Sequence, residues 1–249
     1  MSQFEGKSVI VTGAGRGIGR QLALDFAARG ARVVVNYSAS KDDAAEVLDK
    51  IVAAGGKAIA LCADVADKAA VEAMVARSLE VFGGVDILIN NAGINIDRPF
   101  LQLAEDDWDR VMAVNLKGPF LCSQAAGRAM VAAGRGSIVN ISAVTAVDAR
   151  RNAANYCSSK AGLNMLTKCM ALELAPHVNV NALALGYVES PIVRELYTAE
   201  QLRAIVGVTP LARMSSFAEV SEFVIFMASR EAAFMTGQTI VFDGGRVMR

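Results

Sequence analysis

The sequence Lys7-Ser-Val-Ile-Val-Thr-Gly-Ala-Gly-Arg-Gly-Ile-Gly19 predicts a buried strand that runs directly into a glycine-rich turn. Residues 9–11 form the short β-branched run that is typical of a strand covered on both faces. Beyond the turn, apolar residues recur at the spacing of a helix: Ile18, Leu22 and Phe26. The order of strand, turn and helix is that of the first unit of an α/β fold.

The glycine turn is suited to a phosphate group. Gly13, Gly17 and Gly19 allow the backbone to approach a ligand closely, and the helix that follows presents unpaired N–H groups and its positive dipole end. The usual dinucleotide fingerprint would place its third glycine at position 18, which is Ile18. The pattern alone is therefore also compatible with a tight structural turn, but its position after the first strand favours phosphate binding.

A second motif, Tyr156-Cys-Ser-Ser-Lys160, can move a proton. Residues four apart lie on one face of a helix, so Tyr156 and Lys160 would point into the same site. A free phenol has a pKa of about 10, and a nearby ammonium group is expected to lower it. Tyr156 could then protonate a ketone oxygen or accept a proton from an alcohol. A buried tyrosine and a surface lysine are the alternative, but the glycine turn favours hydride chemistry at a carbonyl or alcohol carbon.

Strand-like and helix-like segments alternate along the whole chain. Besides the first strand, the strand candidates are residues 32–36, 58–62, 86–90, 137–141, 178–182 and 239–242. The helix candidates between them lie near residues 41–54, 67–82, 105–133, 155–175 and 217–229. This alternation predicts a doubly wound, Rossmann-type α/β fold with a parallel sheet of about seven strands and helices on both faces. Ligands bind beyond the carboxyl ends of such strands, where four polar residues fall: Asn36, Asp64, Asn91 and Ser142.

Size and composition narrow the class of protein. The 249 residues fit one domain, 1–249, and the formal net charge of zero predicts neither a nucleic-acid nor a membrane partner. No apolar run reaches the roughly 20 residues of a membrane span, and the N-terminus lacks a signal-peptide pattern. Four cysteines without paired spacing and the single His177 predict no metal site and a cytoplasmic protein.

These motifs together resemble the short-chain dehydrogenase/reductase family from Lys7 to Gly245. The resemblance rests on Thr12-Gly-x-x-x-Gly-Ile-Gly19, Asp64-Val65, Asn90-Asn-Ala-Gly93, Asn115, Tyr156-x-x-x-Lys160 and Asp243-Gly-Gly245. It is strongest to the 3-oxoacyl-reductase-like branch, through Asp107-Trp108, Val114-Asn-Leu-Lys-Gly118 and Thr236-Gly-Gln-Thr239.

The resemblance implies site residues. The implied catalytic residues are Asn115, Ser142, Tyr156 and Lys160. The implied or inferred cofactor-binding residues are Thr12, Gly13, Arg16, Gly17, Ile18, Asn36, Tyr37, Ser38, Asp64, Val65, Asn91, Ala92, Gly93, Tyr156, Lys160 and Val188. The resemblance also implies a substrate lid near residues 186–212, with a short helix from Pro191 to Val206. The two helices near 105–133 and 155–175 carry apolar residues on more than one face, so they need burial on two sides. In the family that the chain resembles these helices form subunit contacts, which implies a homotetramer, with a dimer as the alternative.

The second strand predicts the cofactor. It ends at Asn36-Tyr-Ser38, and no acidic residue that could accept from a ribose hydroxyl occurs before Asp42. Arg16, within the glycine turn, can instead face a 2′-phosphate, although a solvated turn residue is the alternative. We therefore expect NADP(H) rather than NAD(H).

Three positions depart from the family pattern. In the family that the chain resembles, a serine thirteen residues before the tyrosine takes part in the proton relay, and this chain has Ala143 there. Ser142, Thr145 or a water could replace this relay serine, or the chain could be catalytically impaired. Leu185 stands where relatives often have proline, and Leu172 where carrier-protein-using relatives often have arginine. The sequence thus predicts an NADP(H)-dependent reductase of a small-molecule ketone or an acyl thioester. A cofactor-binding subunit that supports an active homologous partner is the alternative.

Overall fold

A computed structural model describes residues 3–190, 193, 195 and 198–248 of the chain. Its centre is a seven-stranded sheet in which every neighbouring pair is parallel. The strands are β1 Ser8–Val11, β2 Arg32–Tyr37, β3 Lys57–Cys62, β4 Ile87–Asn90, β5 Gly136–Ala143, β6 Val178–Leu185 and β7 Thr239–Phe242. This confirms the predicted doubly wound α/β fold, with all seven strands where the sequence placed them and with β5 and β6 each three residues longer than predicted.

Helices cover both faces of the sheet. They are α1 Gly17–Ala28, α2 Lys41–Ala53, α3 Lys68–Phe82, α4 Glu105–Met112, α5 Gly118–Ala132, α6 Ala154–Leu174, α7 Ala199–Gly207 and α8 Phe217–Ala228. In β1, the side chains of Val9 and Val11 pack with α1, α2 and α8, whereas Ile10 packs with α3 and α5 on the other face. A strand that packs against helices on both faces is mostly apolar, which is why residues 9–11 of β1 and 87–89 of β4 form unbroken apolar runs.

The strand order β3-β2-β1-β4-β5-β6-β7 places the point of reversal between β1 and β4. The chain winds outward through β2 and β3, then crosses back and winds outward on the other side. In the register, Val9 pairs with Ile87 and Val11 with Ile89, so the carboxyl ends of β1 and β4 lie side by side. Connections leave these two strands in opposite directions, which opens a crevice for a ligand at this edge.

The helix expected over residues 105–133 is interrupted. A π-helical turn, Ala113–Lys117, separates α4 from α5. Pro119 has no backbone N–H and so cannot donate to the carbonyl of Asn115, four residues earlier, which interrupts the α-helical ladder there. Gly118 is also required: a Cβ on it would lie 2.7 Å from the side chain of Val65. The sequence predicted one helix because its apolar periodicity continues through the turn.

The expected lid region is partly described. Helix α7 begins at Ala199, after a capping box in which the Thr198 hydroxyl and the Gln201 side chain bond reciprocally to the backbone. The predicted helix start at Pro191 lies outside the described residues. None of the helices that the structure describes has the length and apolarity needed to cross a membrane. Within the same described residues, His, Cys, Asp and Glu form no cluster suited to a metal ion.

Candidate active site

The glycine turn closes as tightly as its sequence requires. Gly13 and Gly17 have φ values of +62° and +58°, a left-handed conformation that residues with a Cβ rarely adopt. A Cβ on Gly19 would collide with the carbonyl oxygen of Gly13 and the side-chain amide of Asn91. The turn therefore packs directly onto the segment that follows β4, and the first turn of α1 contains no acidic residue. This is the geometry expected of a backbone cradle for a pyrophosphate.

Three polar side chains hold the turn in place. The Thr12 hydroxyl accepts from the backbone N–H groups of Asn91 and Ala92, at 2.9 and 3.0 Å. The Asn91 side chain donates back to the carbonyl of Thr12 at 2.8 Å. Asn36 accepts from the N–H of Gly13 at 3.2 Å and donates to the carbonyl of Ala63 at 3.0 Å. The polar groups of Thr12 and Asn36 are thus engaged with the backbone, and direct contacts from them to a cofactor stay predictions.

Two cavities join along the carboxyl ends of the strands. The smaller, of about 380 Å³, is bounded by the ends of β2 and β3, including Tyr37, Ser38 and Asp64. The larger, of about 680 Å³, contains Tyr156 and Lys160. The two cavities form one continuous groove, because six residues line both of them: Arg16, Gly17, Ile18, Asn91, Gly93 and Ile94. Every sequence-predicted cofactor residue except the buried Thr12 lines this groove, so the residues present fit a dinucleotide.

Asn115 lies on the π-helical turn and is fully buried. Its side chain accepts from the N–H of Ile94 and donates to the carbonyl of Ile94, each at 2.8 Å. It also donates to the hydroxyl of Ser159 on α6 at 3.2 Å. The widened turn thus lets one amide fix the loop after β4 against α6, and π-helical turns are frequent at functional sites. The catalytic role expected of Asn115 stays a prediction.

Tyr156 and Lys160 lie one turn apart on α6 and face the same cavity. The Lys160 Nζ donates to the carbonyl of Ile141 at 2.8 Å and lies 5.7 Å from the centroid of the Tyr156 ring. Burial raises the pKa of Tyr156 to about 12, partly offset by the charge of Arg150, and burial lowers the pKa of Lys160 to about 8. The lowered pKa that the spacing predicted for Tyr156 is therefore wrong for this structure, because desolvation of the phenol outweighs the charges around it.

The end of β5 and the turn that follows it carry two candidates for the missing relay hydroxyl, Ser142 and Thr145. Ala143 is the last residue of the strand and provides none. The Ser142 hydroxyl donates to the Asn164 side chain on α6 at 2.6 Å, and only 2% of Ser142 is exposed. Thr145 lines the larger cavity, and its buried hydroxyl oxygen has no hydrogen-bond partner. The catalytic role of Ser142 stays a prediction, with its hydroxyl engaged by a helix side chain.

Charged residues that the sequence did not single out also border the groove. Arg110 on α4 pairs with Asp64 at 3.0 Å at the end of β3. Arg150 forms a bidentate pair with Asp97 at 2.6 and 2.7 Å, which ties the loop after β4 to the loop before α6. The Arg246 guanidinium lies 5.0 Å from the centroid of the Tyr187 ring. Such pairs join residues distant in sequence, so no local pattern could have revealed them.

The chemistry that this arrangement supports is proton transfer beside a bound dinucleotide. The Tyr156 phenol is protonated at neutral pH, so it can donate a proton to a carbonyl oxygen. Its raised pKa makes it a weaker acid, so the donation requires a charge that stabilises the phenolate. Lys160 supplies a buried positive charge in the same cavity. Of the described residues that line the larger cavity, four carry a cationic side chain and none carries a carboxylate: Arg16, Arg150, Lys160 and Arg246.

Comparisons with known proteins agree with this geometry. A family model described as short chain dehydrogenase matches residues 7–201. The 3-oxoacyl-acyl-carrier-protein reductase FabG of Staphylococcus aureus is 41% identical over 243 residues, which cover 97% of this chain and 98% of that protein. The Escherichia coli FabG is 37% identical over 246 residues, or 98% of this chain and 99% of that one.

Solved structures show the same fold. A short-chain type dehydrogenase/reductase from Mycobacterium marinum superposes with a TM-score of 0.92 at 35% identity, covering 99% of this chain and 98% of that chain. A double mutant of a Serratia marcescens short-chain dehydrogenase/reductase gives a TM-score of 0.92 at 35% identity, covering 98% and 99% of the two chains.

Proposed function

The chain belongs to the short-chain dehydrogenase family, and we propose that it is an NADPH-dependent reductase that converts the 3-keto group of an acyl thioester to a secondary alcohol. One observation carries the proposal. The cavity that contains Tyr156 and Lys160 is continuous, through Arg16 to Ile18, with the groove over the glycine turn. A dinucleotide whose phosphates lie on the turn can therefore reach the proton donor with its nicotinamide end.

The bound cofactor would supply a hydride to the carbonyl carbon. Tyr156 would donate its phenolic proton to the carbonyl oxygen, so that the hydride and the proton together form the CH–OH group. Lys160, held by the carbonyl of Ile141, would place its charge near the phenolate that remains and favour its formation. Asn115, through its hydrogen bonds to Ile94 and Ser159, would hold the loop after β4 and helix α6 in fixed positions around the cavity during the transfer.

We propose NADPH rather than NADH as the cofactor because of the charges around the smaller cavity. Arg16 is exposed at the N-terminus of α1, where it can reach a 2′-phosphate from the side of the groove. Among the described residues that line the smaller cavity, Asp64 is the one carboxylate, and Arg110 neutralises it. A 2′-phosphate would thus meet positive charge and no free carboxylate, whereas the ribose of NAD(H) would lack an acceptor at the end of β2.

The substrate is assigned from the relatives and from the cavity. Reductases named for 3-oxoacyl-acyl-carrier-protein match nearly the whole chain. The described residues that line the larger cavity include no carboxylate that would repel a substrate with an anionic carrier group. Leu172, where carrier-protein-using relatives often have arginine, is 83% exposed and presents no charge to an acidic carrier protein. The proposed substrates therefore include thioesters of coenzyme A as well as those of a carrier protein. The four free cysteines fit an enzyme of the reducing cytoplasm.

A panel assay tests the proposal. The purified chain is incubated with NADPH and, in turn, acetoacetyl-coenzyme A, an acetoacetyl carrier protein and simple ketones, and the loss of NADPH absorbance is followed. We expect turnover with at least one thioester, and turnover at least about a hundredfold slower with the Tyr156→Phe variant. Absence of turnover by the chain alone, with turnover restored by an active homologue, would replace the proposal with that of a supporting subunit, which Ala143 motivates.

A further inference from the structure

The chain lacks a hydroxyl at the position of its family's relay serine, and the nearest serine does not fill the gap. Successive residues of a strand point to opposite faces, so the Ser142 side chain is directed away from that of Ala143, although both residues border the larger cavity. Asn140 and Ser142 both bond to α6, through Thr167 at 2.8 Å and Asn164 at 2.6 Å. Ser142 therefore belongs to a row of polar contacts that attaches β5 to α6.

Thr145 has the opposite character. It lies on the single 3₁₀ turn Val144–Ala146 that directly follows β5, two residues beyond Ala143. Its hydroxyl oxygen is one of four buried side-chain N or O atoms without a partner in the described part of the chain. The other three belong to Arg32, Asn90 and Thr239, none of which lines the larger cavity. A buried hydroxyl without a partner is costly, so its occurrence in the cavity that also contains Tyr156 calls for an acceptor that arrives with the ligand.

We propose that Thr145 donates a hydrogen bond to the carbonyl oxygen of the substrate and so replaces the relay serine that is missing at Ala143. Rotation about χ1 of threonine exchanges the positions of hydroxyl and methyl group, so the hydroxyl can turn toward an oxygen bound beside Tyr156 without backbone movement. The inference rests on the proposed function, because it requires a carbonyl substrate in this cavity.

A matched pair of substitutions tests this assignment. Thr145→Val removes the hydroxyl and keeps the branched shape, and Thr239→Val makes the same change at an unpartnered hydroxyl on β7, outside the cavity. We expect kcat with the 3-oxoacyl thioester to fall about a hundredfold in Thr145→Val, as for loss of one donor to a developing oxyanion. We expect Thr239→Val to keep the wild-type kcat, and Thr145→Ser to retain most of it.

Thermal stability separates a chemical role from a structural one. Removing an unsatisfied buried hydroxyl should leave the melting temperature of both valine variants unchanged or higher, and the Kd for NADPH unchanged. A loss of kcat without a loss of stability or cofactor affinity is the signature that a merely structural threonine would not give.

The possible outcomes distinguish this inference from the proposed function. If the wild type reduces the thioester and Thr145→Val keeps its kcat within threefold, the inference is overturned and the function stands. If Ser142→Ala shows the hundredfold loss and Thr145→Val does not, Ser142 is the donor. If the wild type reduces no member of the ketone and thioester panel, the proposed function fails, and the inference about Thr145 fails with it.

Discussion

Replacement of Arg16 by alanine tests how the chain selects its cofactor. If this guanidinium contacts the 2′-phosphate of NADPH, its loss removes a charge-assisted hydrogen bond, which is worth about 1.5–3 kcal/mol. Arg16 is exposed, and solvent screens the contact, so we expect the lower end of that range, about 1.5 kcal/mol. This corresponds to a Kd for NADPH that rises about tenfold. The Kd for NADH, which lacks the phosphate, should not change.

The assay is a titration of each variant with both cofactors, followed by intrinsic or nicotinamide fluorescence. Arg20→Ala provides the matched control, because Arg20 lies on the same helix and already pairs with Glu46 at 2.8 Å. Wild-type protein should bind NADPH at least tenfold more tightly than NADH, a difference of about 1.4 kcal/mol or more. Equal affinity for the two cofactors, or an equal loss of both in Arg16→Ala, would refute the role of Arg16.

Three further predictions concern catalysis, pH and assembly. Tyr156→Phe should lower kcat at least about a hundredfold and leave NADPH binding intact, since it removes only the transferable proton; wild-type turnover in this variant would show that the acid is another group. Burial lowers the pKa of Lys160 to about 8, so its charge is present below that pH and lost above it. The reduction rate should therefore fall as the pH rises, with a midpoint near pH 8. A rate that stays constant up to about pH 10 would contradict this prediction. Helices α5 and α6 expose apolar side chains, among them Phe120 at 42% and Met165 at 58%, so light scattering should report a tetramer, and a monomer at micromolar concentration would disprove an assembly through these helices.

The fold was predictable because its signals are local. Most strands contain a short apolar run, because a strand that is covered on both faces buries nearly every side chain, as residues 9–11 show. The glycine turn was predictable for a similar reason: positive φ at Gly13 and close packing at Gly19 leave no alternative residue.

The parts of the site that the sequence did not reveal depend on tertiary contacts. The π-helical turn around Asn115 is followed by Pro119, which cannot donate to the helical ladder, and by Gly118, where a Cβ would collide with Val65. The predicted lowering of the Tyr156 pKa was wrong, because the prediction considered only the spacing to Lys160. In the structure, burial of the phenol has the larger effect and raises the pKa. The choice between Ser142 and Thr145 depends on which hydroxyl a helix already occupies, and only the packing of α6 on β5 shows this.

Transfer of a deuterium label tests the central claim most directly. The purified chain is supplied with acetoacetyl-coenzyme A and NADPH deuterated at C4 of the nicotinamide, each C4 face in turn, and the product is analysed by mass spectrometry and NMR. We predict that one of the two labelled cofactors delivers its deuterium to the carbinol carbon of a 3-hydroxyacyl thioester, while the hydroxyl proton exchanges with water. A thioester that is returned unreduced, or a product without deuterium from either labelled cofactor, would contradict direct hydride transfer in the groove between the glycine turn and Tyr156.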